Sequence, residues 1–378
     1  MSTEHLETVI VGAGQAGLST GYHLAQRKRQ FVILDAHKRV GDNWRERWKS
    51  MRLYSPARYD GLPGMPFPAS PWAFPTKDDV GNYLEDYAAK FALPVQGGVV
   101  VRRITKEGDR YVIDANGRTL TSDNVVVASG TFGGPYVPAF ATELDPAIAQ
   151  LHSSQYRDVS QLRPGTVLVV GASHSGADIA FEAANAGHPT VLSGRDTGQI
   201  PFPIESRQTR MAFPILWFVW NHVLTMSTPM GRKMRDEVRT HGGPLLRVRR
   251  DDLAAAGVER VLDRVSGVHN GQPALDGGRV LDVANVVWCT GFRQDFSWIE
   301  LPILGEDGWP VEERGVVPAL PGLYFTGLAF QRAFASMLIG GAGKDAEHIA
   351  KHIAARASAR DERHQVTGGR ATRMTSAS

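Results

Sequence analysis

The chain has one cysteine, Cys289, in 378 residues. That excludes an intramolecular disulfide framework, a Cys-x-x-Cys redox pair and a cysteine-built zinc site, and no metal is expected. A reducing cytoplasm is the simplest compartment. Net charge is small, +3 on 42 basic and 39 acidic residues. No stretch concentrates Lys and Arg, so no nucleic-acid partner is expected. No signal-peptide pattern opens the sequence: MSTEHLET runs straight into an apolar strand and glycines. No uninterrupted apolar run reaches the ~20 residues of a membrane-spanning helix, so no transmembrane segment is expected. The nearest candidate, Met211 to Ser227, is broken by Pro214, Asn221 and His222. It reads as a buried or lid helix, with docking on a membrane surface as the minor alternative.

Glycine is plentiful, at 40 residues, and it gathers at two places of the same design. In VIVGAGQAGLSTGYHLA, Gly12, Gly14 and Gly17 form a Gly-x-Gly-x-x-Gly turn between an apolar strand and a helix. The first glycine permits the tight turn, the second lets a pyrophosphate approach the backbone, and the third lets helix and strand pack closely. The helix N-terminus then offers unpaired N–H groups to the phosphates. Asp35 ends the next strand, FVILD, where an acid accepts from a ribose 2′-hydroxyl. In VLVVGASHSGADIA the turn recurs as Gly171, Ser173 and Gly176, and its following strand, PTVLSGRD, offers Ser193 and Arg195 in place of an acid. A carboxylate there repels a 2′-phosphate, whereas a hydroxyl and a guanidinium welcome one. The first groove therefore suits an adenosine with a free 2′-hydroxyl. The second suits NADPH better than NADH, with NADH still admitted. FAD and a nicotinamide nucleotide are the natural pair, because hydride transfer to a flavin needs both at once.

The fold class follows: α/β, with two Rossmann-like dinucleotide-binding domains. Two segments rhyme, NVVVASGTFG from Asn124 and NVVWCTGFRQ from Asn285. Each reads as a buried strand running into Ser/Thr-Gly and a Phe. They bracket the second turn, so the NADPH domain reads as an insertion in a discontinuous FAD domain. The expected division is 1–160 and 285–360 for FAD, 161–284 for NAD(P)H, and a disordered polar tail over 361–378. Thr76 is expected to cap a helix, and Asn116-Gly117 to turn a hairpin.

The ordered set GAGQAGL, GDNWRERWKSMRL, SPARYDGLPGMPFP, FPTKDDVGNYLEDYA, LHSSQYRD, GASHSGADIA, VVWCTGF and GLYFTGL resembles the class B flavin-containing monooxygenases, notably the small bacterial members and the plant YUCCA-like enzymes. The resemblance covers nearly the whole chain apart from the tail. It implies that Gly12, Gly14, Gly17 and Asp35 hold the FAD pyrophosphate and ribose. Gly41 and Trp44 match a GGxW element along the FAD, with Asp42 replacing the second glycine. Val101 falls at a backbone contact to the adenine. Gly171, Ser173 and Gly176 would hold the nicotinamide dinucleotide, with Ser193 and Arg195 at its 2′-phosphate. His152 and Tyr156 match the end of the FxGxxxHxxx(F/Y) fingerprint, whose Phe and Gly are Pro146 and Ile148 here. Tyr156 in place of Trp is similar to the heteroatom-oxidising branch. Tyr54 occupies the region where animal-type members carry an active-site Asn.

The activity so implied is that NADPH reduces FAD, O2 adds at flavin C4a, and the hydroperoxide oxygenates a small amine, sulfide or activated carbonyl. No catalytic residue is singled out by the sequence. One alternative is an NAD(P)H:flavin oxidoreductase passing electrons to a partner or making peroxide. A further alternative is a non-catalytic flavin-binding redox sensor. Substrate identity and oligomeric state leave no signature in the sequence.

Overall fold

A computed structural model describes residues 4–374, with side-chain surroundings described through Arg360. The first sheet is built from β1 (Glu4–Val11), β2 (Phe31–Asp35), β3 (Val95–Gly97), β4 (Val101–Glu107), β5 (Arg110–Ala115) and β6 (Arg118–Val127). Its order is β3-β2-β1-β6-β5-β4, parallel up to β6 and antiparallel beyond it. The β5–β6 hairpin turns at Asn116-Gly117, both at positive φ as a tight primed turn requires. The two faces of the sheet have separate cores. On one, Ile10 and Ile33 meet Leu18 and Leu24 of α1 (Gln15–Gln26) and Tyr83 and Tyr87 of α3 (Lys77–Lys90), which follows the one-turn helix α2 (Asp42–Arg45). On the other, Val9 and Val125 meet the β4–β5 ribbon. Thr76 caps α3 reciprocally with Asp79.

After the two-residue strand β7 (Gly134–Pro135), the second sheet takes in β8 (Ala149–His152), β9 (Val167–Val170), β10 (Thr190–Ser193) and β11 (Glu259–Val261). The hairpin β12 (Val265–His269) and β13 (Gln272–Leu275) stands apart, and β14 (Asn285–Trp288) returns to the sheet. Its order, β11-β10-β9-β14-β8, is parallel throughout. The continuous apolar strands VLVV and TVLS are buried along their whole length, as a sheet covered on both faces demands. The helices here are α4 (His174–Asn185), α5 (Arg207–Phe218), α6 (Pro229–Thr240) and α7 (Arg250–Ala255). The chain then forms β15 (Phe292–Arg293), which pairs antiparallel with β7, so that both passages between the sheets zip together. β16 (Leu323–Phe325) rejoins the first sheet beside β6, and α8 (Ala342–Met374) packs over α1.

This topology corrects the expected boundaries. Both β8, assigned to the 1–160 portion, and β14, assigned to the 285–360 portion, lie in the second sheet. The two rhyming strands are not the ends of one insertion. β6 lies beside β1 and β14 beside β9, so each is the neighbour of a Gly-turn strand in its own unit. They share a sequence because they share an environment, buried on both faces and ending against a glycine. The tail is also shorter than expected. With no proline beyond Pro321, nothing stops α8 near Arg356, and its backbone is helical to Met374. Residues 375–378 lie outside the described residues.

Candidate functional site: two dinucleotide turns and the crossing between them

Gly12, at φ 111°, turns the chain out of β1, and a Cβ there would lie 2.5 Å from the Ala128 carbonyl oxygen. A Cβ on Gly17 would lie 1.9 Å from the Gly12 oxygen. Both glycines are needed for packing. Gly14 differs: a Cβ there would meet only the Asn43 amide, at 3.9 Å. The space in front of it is what an approaching pyrophosphate needs. No side chain caps α1 and no acid stands in its first turn, so its first N–H groups remain for a ligand. The Asp35 carboxylate accepts from the Ala13 N–H at 2.5 Å and the His37 N–H at 2.8 Å. Burial pushes Asp35 up, but these bonds and the His37 ring outweigh it and hold the carboxyl below its usual range. Gly41, at φ 87°, sits against the Gly81 backbone and launches α2. On α2, Asn43 reaches the first turn and the buried Trp44 indole N–H has no partner. A buried donor without a partner, next in sequence to the residue that reaches the turn, is compatible with a bound FAD. Val101 opens β4, just after Val99 donates to the Asp35 carbonyl.

The second turn repeats the packing. Gly171 has φ 111°, a Cβ there would lie 2.3 Å from the Cys289 oxygen, and a Cβ on Gly176 would lie 1.8 Å from the Gly171 oxygen. α4 likewise has no side-chain cap and no acid in its first turn. Its mouth is not open in the same way. Ser173 Oγ donates to the Gly243 carbonyl at 2.8 Å, and a Cβ on Gly242 would touch the Ser173 side chain. The Gly242-Gly243 segment is laid across the turn.

Strand register corrects the expected phosphate pair. Gly12 and Gly171 donate to Leu34 and Ser193 respectively, so Gly194 stands where Asp35 stands in the first unit. Ser193 itself is buried, and its hydroxyl donates to the Asp263 carbonyl. Arg195 is exposed one residue on, with no hydrogen bond or ion pair among the described residues. Asp196, next to it, pairs with Arg250 and Arg260.

Several residues bridge the two units without any local signal in the sequence. Tyr54 donates to Asp178 Oδ2 at 2.7 Å, tying a loop of the first unit to α4. Desolvation raises Asp178 to about 6, although the Tyr54 bond pulls the other way, and Asp178 Oδ1 has no partner. The Tyr54 ring meets His174 edge-on at 5.1 Å, and desolvation lowers that imidazole to about 4. At the zipped passage, Phe132 and Phe292 pack edge to face at 5.2 Å under the Arg47 guanidinium. His152 Nε2 lies 3.0 Å from the Gly291 carbonyl, a structural tie at the joint. Gly130 and Gly291 have φ of 74° and 83°, and a Cβ on either meets nothing within 4 Å. Their role is therefore backbone conformation, not close strand packing.

Residues 9–205 match the family model described as pyridine nucleotide-disulphide oxidoreductase. A relative described as an uncharacterized oxidoreductase, CzcO-like, from Geobacillus kaustophilus is 35% identical over 92% of this chain and 98% of its own length. The chain belongs to this oxidoreductase family. Within it, the chain is of the class B flavin-containing monooxygenase type, an FAD-dependent oxidoreductase. A probable indole-3-pyruvate monooxygenase, YUCCA7 of Arabidopsis thaliana, is 27% identical over 92% of this chain and 87% of its own. The structure of a flavin-containing monooxygenase from Stenotrophomonas maltophilia superposes with a TM-score of 0.75 at 25% identity, covering 94% of this chain and 100% of that one. The chain has no cysteine pair to match the family's name. Cys289 stands alone, and desolvation, with the nearby Asp178 charge, pushes its thiol up to about 12. Leu328, in the GLYFTGL element, is buried in the core.

Proposed function

We propose that the chain is an NADPH-dependent FAD monooxygenase that places one atom of O2 on a small soft nucleophile, an amine, a sulfide or an activated carbonyl, and releases the other as water. The observation that carries this reading is the duplicated turn. Two uncapped helix N-termini follow two Gly turns of matched geometry, one with an acid at the strand end and one with glycine followed by a free arginine. FAD, when bound, supplies hydride acceptance from the nicotinamide and reaction with O2. The chain supplies the rest. Gly12, Gly14 and Gly17 leave the α1 amides facing the pyrophosphate, and Asp35 accepts from the ribose. Gly41 and Trp44 would lie along the flavin nucleotide, and the Val101 backbone would contact the adenine. Gly171, Ser173 and Gly176 hold the second pyrophosphate, with Arg195 at the 2′-phosphate; NADH lacks the partner for that arginine. The similarity to YUCCA7 puts 2-oxo acids among the carbonyl substrates to be tested.

One observation favours a second reading, an NAD(P)H oxidase or reductase. The Tyr54 hydroxyl is bound to Asp178, so this position offers no free donor to activated oxygen. The test separates the two. The yellow protein is bleached anaerobically with NADPH, then given air and candidate amines, sulfides and 2-oxo acids. Oxygenated product equal to NADPH consumed supports the monooxygenase. Stoichiometric peroxide with every candidate overturns it in favour of the oxidase, and absence of any bound flavin overturns both.

A further inference from the structure

The segment from Met211 to Gly231 contains no Asp, Glu, Lys or Arg. Its inward side is accounted for. Phe213 and Trp217 pack on Tyr59 at 4.7 and 5.1 Å, and Trp220 packs on Phe334 at 5.1 Å. A π-helical turn over Val219–Val223 and a bridge between Thr225 and Ala333 hold the far end. The outward side of α5 is apolar as well. Met211, Ile215 and Phe218, spaced four and three residues apart, form one stripe and are 71%, 68% and 58% exposed; Met230, opening α6, is 60% exposed. A helix apolar on both sides has a cover on each. The outer cover is also marked by charge. Arg207 continues the stripe one turn back, Arg210 lies beside it, and Arg232 and Lys233 follow in α6. All four are exposed and carry no acidic partner among the described residues. The nearby acids are engaged elsewhere: Glu205 with Arg247, Asp236 with Arg235 and Glu237 with His241.

We infer that this face docks on an anionic lipid bilayer, with α5 lying in the plane of the headgroups, its stripe among the acyl chains and its flanking cations on lipid phosphates. A second copy of the chain fits less well. Two-fold pairing sets the same face against itself and brings both sets of unpaired cations together. No described helix is long and apolar enough to cross a membrane, so the contact is peripheral.

The test is flotation of the FAD-loaded protein with vesicles of phosphatidylcholine alone or mixed with phosphatidylglycerol, with sedimentation of the free protein alongside. The protein is expected to float with the mixed vesicles only, and high salt lowers the bound fraction about tenfold. The double variants Ile215→Glu/Phe218→Glu and Arg207→Gln/Arg210→Gln each lower it about tenfold as well. Flavin content and melting temperature stay unchanged, because none of these side chains is packed inside. Equal flotation with both vesicle types overturns the charge assignment. Wild-type protein left at the bottom of both gradients overturns the proposal, and a dimer split by Ile215→Glu then assigns the face to a second copy.

Discussion

The first and second Gly turns share a backbone and differ in what stands in front of it. In both, the first glycine takes φ 111°, and the last lies so close to the first that a Cβ would sit within 2 Å of its carbonyl oxygen. The middle position separates them. A Cβ on Gly14 would meet only the Asn43 amide, whereas Ser173 is bound to the Gly243 carbonyl. The strand ends separate them again, with Asp35 in one and Gly194 before Arg195 in the other. The shared part is what a strand-turn-helix needs in order to pack at all. The variable part is what a ligand meets. On the proposed reading, the first turn would hold a nucleotide with a free ribose hydroxyl and the second a phosphorylated one, with the Gly242-Gly243 segment lying against Ser173.

The largest expected effect comes from adding one methyl group to either turn. Gly17→Ala is expected to lower FAD affinity at least ~100-fold, equivalent to ~3 kcal/mol, giving colourless protein with little change in far-ultraviolet circular dichroism. Gly176→Ala is expected to leave the protein yellow and to slow its reduction by NADPH. If both variants lose flavin alike, the division of labour between the turns is wrong. A smaller effect is expected at Arg195. Arg195→Ala is expected to raise KM for NADPH about tenfold and leave KM for NADH unchanged, since one charge-assisted phosphate contact is lost. An equal rise for both nucleotides breaks the assignment.

The smallest effect tests the residue after the middle position, His174 in one turn and Gln15 in the other. Desolvation depresses His174 to about 4, against ~6.5 in an unfolded chain. The neutral ring therefore contributes its full stability above ~6.5, and loses it as pH falls toward 4, where the unfolded chain takes up the proton first. Asp178, raised to about 6, acts in the opposite direction over the same window and is present in both proteins. His174→Gln is thus expected to reduce the fall in Tm between pH 7 and pH 5 by about 2–4 °C. Unchanged pH dependence shows that the ring is solvated.

Legibility followed locality. Gly12, Gly14, Gly17 and Asp35 could be read because a turn, a helix start and the next strand fall within a short span, and each requires its own residue type. The Thr76 cap and the Asn116-Gly117 turn were legible for the same reason. The repeated NVV segments were visible but misassigned, because sequence similarity reports a shared environment and not which sheet supplies it. Ser193 was one residue out of register: which residue ends a strand opposite Gly171 is set by hydrogen bonds to β9, not by composition. Asn43, Arg47 and Asp178 were missed because each acts on a partner brought close only by folding. For Asn43 the GDNW element next to Trp44 was the available signal.

From the order of its residues alone, the chain is committed to two glycine turns between strand and helix and to α/β layering, since glycine spacing and apolar periodicity act over a few residues and need no distant partner. Folding decided that β8 and β14 stand together, that Tyr54 reaches Asp178, that Gly243 lies across Ser173 and that α5 turns an apolar side outward. Those outcomes depend on which surfaces remain to be buried once the two sheets have formed, and that balance belongs to the assembled molecule.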